Sequence, residues 1–94
     1  MIPLTPDALD AAAAHVAAFC RAHGFVPTSV HLAFDSIRVH VPWDAFATAY
    51  AGHSSTAHML EGGGHHHEIE DDGLRVVAID PAASREIVDG RVTL

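Results

Sequence analysis

Ninety-four residues with 49% apolar content suffice for one hydrophobic core and not for two, so residues 1–94 read as a single domain. Five arginines, no lysine and a formal charge of −7 leave no basic cluster to hold a nucleic-acid backbone or an anionic membrane. Cys20 is alone, which excludes an internal disulfide and the paired-cysteine zinc ribbons, and no apolar run approaches the ~18 residues of a bilayer span, so a cytoplasmic chain is expected.

The first element is signed at both ends. Thr5 is a capping residue, Pro6 suits the first helical position, and Asp7 and Asp10 lie where a helix dipole favours anions. Leu9, Ala13, Val16 and Cys20 recur at helical spacing and Gly24 supplies a stop, which predicts a helix over 6–23. After Pro27, Val30, Leu32 and Phe34 alternate, and so do Ile37, Val39 and Val41, with the phase broken at Asp35-Ser36. A hairpin centred there brings both trios to one side. Phe34 then faces Ile37, Leu32 faces Val39, Val30 faces Val41, and His31 falls opposite His40 on the other face. A four-residue loop in the same register is an equal option.

Trp43, Phe46 and Tyr50 fall at i, i+3 and i+7, a short helix over 43–51 whose aromatic stripe belongs to the core. A strand around Thr56 to Leu60 precedes the triplet Gly62 to Gly64. HHHEIE (65–70) and LRVVAI (74–79) are then joined by Asp72-Gly73, the strongest hairpin turn in the chain, which pairs Ile69 with Val76 and Glu70 with Arg75. Asp80-Pro81 opens a short helix over 81–88, while Asp89-Gly90 offers a competing hairpin, and RVTL closes the chain as a short edge strand. The order α-β-β-α-β-β-β-short α composes an α+β two-layer sandwich. Its expected sheet is antiparallel, of four to five strands, with both main helices packed on one face.

The chemistry worth weighing sits in GGGHHHEIEDDG, Gly62 to Gly73. Nine histidines are many for this length. In a strand His65 and His67 project from one face, about 6.6 Å apart in rise, and His58 or Glu70 can add a third ligand of the kind Zn or Ni accepts. A second candidate pair is His31 with His40. The plainer reading is a solvated, mobile hairpin whose charges keep a sheet edge from pairing with other chains.

Nucleophilic catalysis has no complete constellation. Cys20 lies on an apolar helix face, Ser54 and Ser55 beside His53 lack a nucleophile turn, and the glycine triplet lacks the Lys-Ser/Thr of a phosphate loop. No catalytic residue and no cofactor are expected. Glu61, Glu68, Glu70, Asp71 and Asp72, with no arginine among them, put −5 into residues 61–72. The sequence therefore points to a non-enzymatic interaction module that docks on a protein partner, with an acidic patch suited to a basic surface as in an acidic inhibitor. A homodimer through the last strand is a further option, and a Zn- or Ni-binding domain built on residues 58–70 is the alternative.

Overall fold

The computed structural model describes residues 4–33, 35–82 and 85–94. Helix α1 spans Pro6–His23, strands β1 Ser29–Leu32 and β2 Ile37–His40, and helix α2 Trp43–Ala49. Four strands follow: β3 Ser54–Met59, β4 His65–Asp71, β5 Leu74–Asp80 and β6 Arg91–Thr93. They form one six-stranded sheet in the order β1-β2-β5-β4-β3-β6.

The first helix obeys its end signals. Thr5 Oγ1 accepts from the Ala8 N–H at 3.2 Å, and Gly24 ends the helix in the left-handed region. The Phe25 N–H then donates to the Cys20 carbonyl at 2.9 Å, which brings both side chains into the core. Ala12, Val16, Phe19 and Cys20 form the buried stripe of α1, and Phe46 anchors α2. Both helices pack on the sheet face that presents Ile37, Val39, Leu74, Val76, Ala78 and Ile69. The α+β two-layer arrangement is therefore as the apolar spacing predicts.

Three details differ from the sequence reading. The sheet has six strands and is mixed, because β2 and β5 run parallel, with Val39 beside Val76. After α2 crosses the sheet, the meander β3-β4-β5 is laid down from the outside inward, and β5 fills the gap beside β2 in the same direction. The sequence signal for this was Leu74-Arg75-Val76-Val77-Ala78. Its Val76-Val77 pair breaks alternation, and both valines are fully buried, Val77 between the strands on the face that carries no helix.

The second difference is the β1–β2 register. The segment does fold back as a hairpin, but the loop is four residues wide, closed by the Ala33 N–H donating to the Ser36 carbonyl at 3.0 Å. Leu32 faces Ile37, Val30 faces Val39, His31 faces Arg38 and Ser29 faces His40. A slip of two positions leaves Val30, Leu32, Ile37 and Val39 on their expected face, but only Ile37 and Val39 are buried there, and Val30 and Leu32 stay exposed. The expected Phe34–Ile37 pair lies outside the described residues.

The third is the tail. Residues 81–82 form a turn and Arg85 to Ile87 are not helical, so the described part of the expected 81–88 helix does not form. Positions 83 and 84 lie outside the described residues. The competing Asp89-Gly90 turn wins, with Val88 bridging Arg91, and β6 pairs with β3 at the far edge.

Candidate functional site

Within 62–73, residues 65–71 form an interior strand of the sheet. Strand β4 lies between β5 and β3, so the expected mobile hairpin guarding an edge is instead an interior strand. The β4–β5 register is the one that the Asp72-Gly73 turn dictates, with Ile69 against Val76 and Glu70 against Arg75. Alternation sends His65, His67, Ile69 and Asp71 under the helices, and His66, Glu68 and Glu70 to the open face. The preceding loop explains the glycines. Gly62, Gly63 and Gly64 have φ of +88°, +101° and +87°, and the Leu60 N–H donates to the Gly64 carbonyl at 3.0 Å.

The expected metal ligands are thereby divided between two faces. His65 and His67 are buried together, their ring centroids 6.0 Å apart. His58 pairs with His66, ring against ring at 4.6 Å, on the opposite face, where Glu70 also lies. His31 and His40 occupy that open face as diagonal neighbours with ring centroids 5.0 Å apart, not as the direct pair expected. Among the described residues, no group of three or more His, Cys, Asp or Glu side chains is arranged to hold a metal ion.

Under the helices, His67 is fully buried against the Trp43 ring at 4.6 Å, and its Nδ1 lies 2.8 Å from the Ser55 hydroxyl. Burial holds its pKa below that of an ordinary histidine, although the Asp80 carboxylate nearby opposes that shift. Sequence reasoning missed this Ser55–His67–Asp80 grouping. The available signal was small Ser55 and Ala57 alternating with polar Thr56 and His58, but matching them to His67 needs the β3–β4 register, which the glycine loop sets. Ser55 has no exposed surface and bonds to Nδ1, so no substrate carbonyl can reach it, and the grouping does not act as a nucleophilic triad. Cys20 is buried and desolvation raises its thiol pKa, as suits an inert core residue.

On the open face, His31, His40, His58 and His66 share the surface with Arg38, Arg75 and Glu68. The pKa values of His40 and His66 are lowered, first by burial and then by their neighbours His31 and His58. The expected acidic patch is partly consumed by the protein itself. Asp71 accepts from the Tyr50 hydroxyl at 2.8 Å and lies 3.5 Å from His23. The Asp72 carboxylate lies 3.7 Å from His15, and Glu68 meets Arg75 at 3.3 Å. Glu61 and Glu70 remain exposed.

At the other edge, β1 is exposed along its whole length. Between it and α1 runs a trough of about 450 Å³ lined by Ala13, Val16, Ala17, Cys20, Pro27, Val30 and Leu32. Its lining is almost wholly apolar, although Val30 and Leu32 are 39% and 38% exposed. No described helix is long and apolar enough to cross a membrane. No protein-family model matches the chain, and neither a curated protein nor a solved structure does.

Proposed function

We propose that this domain is a non-enzymatic protein-interaction module that receives an extended, basic segment of a partner along the outer edge of β1. The observation that carries this reading is the apolar trough between α1 and an exposed edge strand. An unpaired strand edge offers main-chain hydrogen bonds to an incoming strand, and alternate side chains of that strand would enter the trough. The net charge of −7 favours a partner segment that carries Lys or Arg between its apolar residues.

Selection from a random peptide library against the immobilised full chain tests the proposal. The expected winners alternate apolar and basic residues, and they lose at least tenfold in affinity on Val30→Glu/Leu32→Glu, with unchanged circular dichroism. Binding should also weaken as salt rises from 50 to 500 mM, since exposed charges more than ~8–10 Å apart are largely screened near 0.1 M. Peptides indifferent to the β1 substitutions, or no enrichment at all, would sink the reading.

A further inference from the structure

Among the described residues, two buried side-chain atoms on β4 lack a hydrogen-bond partner. His65 Nδ1 and His67 Nε2 are buried and have no hydrogen-bond partner. Their residues are 5% and 0% exposed, so bulk water does not serve them. A buried polar atom left unpaired is unfavourable by about 1–3 kcal/mol, and native interiors rarely keep one without a reason. Here two occur on one strand, two residues apart, pointing to one side of the sheet.

We propose that His65 and His67 form a two-imidazole site for a divalent transition metal ion of the Zn²⁺ or Ni²⁺ class, with Asp80 as the neighbouring counter-charge. Ring centroids 6.0 Å apart can be bridged by one ion with metal–nitrogen bonds of about 2.0–2.1 Å. In the tautomer with the proton on Nδ1, His67 donates to the Ser55 hydroxyl and turns the Nε2 lone pair toward the ion. Metal-ligating histidines are commonly oriented in this way, by an acceptor on the ring nitrogen that does not bind the metal.

Asp80, 1% exposed, stands directly opposite His65 in the β4–β5 register, and its Oδ1 is held by the Ala82 N–H at 3.0 Å. From there its carboxylate lies on the same side of the sheet as both imidazoles. With no third His, Cys, Asp or Glu converging among the described residues, the remaining coordination positions fall to water or another small donor. The site is independent of docking at β1 and uses none of the residues placed there.

The test uses the full chain without a histidine tag, stripped with a chelator and melted with and without Zn²⁺. At one hundred times its dissociation constant, the ion should raise the melting temperature by about 10–20 °C. That rise should survive His58→Ala/His66→Ala, which removes the stacked pair on the open face, and disappear in His65→Gln. Paramagnetic Ni²⁺ added to the unaltered protein should broaden the ring protons of His65 and His67 before those of any other histidine. This measurement decides the matter even if His65→Gln fails to fold. The proposal is overturned by an unchanged melt of the wild-type chain, which would leave a shared buried water as the partner of both nitrogens. A shift lost on removing His58 and His66, or broadening confined to the open face, overturns it too.

Discussion

At the scale of single residues, Gly64 carries the sharpest constraint. A Cβ added there would lie 2.9 Å from the Asp80 carbonyl oxygen, and the backbone is already at φ +87°. Neither the oxygen nor the loop can retreat easily, because Asp80 belongs to β5 and Gly64 accepts the Leu60 N–H. Gly64→Ala should destabilise the fold by about 1–3 kcal/mol, the usual range for a non-glycine residue forced into such a conformation. Urea unfolding checks this, and a loss below 0.5 kcal/mol would mean that the loop relaxes away from β5. The glycine triplet, which looked like a source of flexibility beside a solvated hairpin, instead fixes where β4 begins. It thereby decides that His65 and His67 are inside.

At the scale of elements, the β4–β5 turn is tied to both helices. The Tyr50 hydroxyl after α2 donates to Asp71, while His15 and His23 of α1 reach Asp72 and Asp71. The phenol is held well above its usual pKa, first by burial and then by its bond to the carboxylate, so it stays a donor through neutral pH. Tyr50→Phe should therefore reduce stability by about 1–2 kcal/mol, as expected for a hydrogen bond to a charged group that is only partly buried. A chemical-denaturation midpoint that does not move would show that the contact is made only loosely.

The sequence was legible wherever the signal was local. The Thr5 cap and Gly24 stop bounded α1, Asp72-Gly73 set the β4–β5 register, and Trp43 with Phe46 marked α2. It was illegible where the outcome depended on distant strands. The direction of β5 relative to β2 is a property of the packed sheet, as is the β3–β4 register that sets His58 beside His66, whereas the separation of Glu70 from His65 and His67 follows from alternation along β4 alone. The slipped β1–β2 register was not among the expected ones, while the closing Asp89-Gly90 turn was an open alternative that only packing could decide. The acidic run misled for a simpler reason, since charge counting does not reveal that Asp71 and Asp72 have partners on α1.

At the scale of the whole molecule, three histidines have lowered pKa values. His67 lies under the helices, and His40 and His66 lie on the open face. The sign is fixed by linkage. Between the depressed folded values and the unfolded value near 6.5, the unfolded chain binds protons that the folded one refuses. Their contribution to stability is thus fully present above about pH 6.5 and is lost as the pH falls through the folded values. Denaturation midpoints followed from pH 7.5 to 4.5 should fall on acidification, and His67→Gln, if folded, should flatten part of the slope. Stability that rises on acidification would contradict the burial of His67.

The parallel pairing of β2 with β5 also governs how the domain is assembled. Val39 meets Val76 across 37 positions of chain (39 to 76), so the centre of the sheet is closed by a strongly non-local contact. Loop closure of that span must precede its reward, which slows folding compared with a simple meander. During synthesis α1 and the first hairpin emerge with an inner edge exposed, and it stays so until the ribosome releases β5. A nascent chain halted before Leu74 would carry half a core and an unsealed seam, the form in which this small domain is most exposed to mispairing with its neighbours.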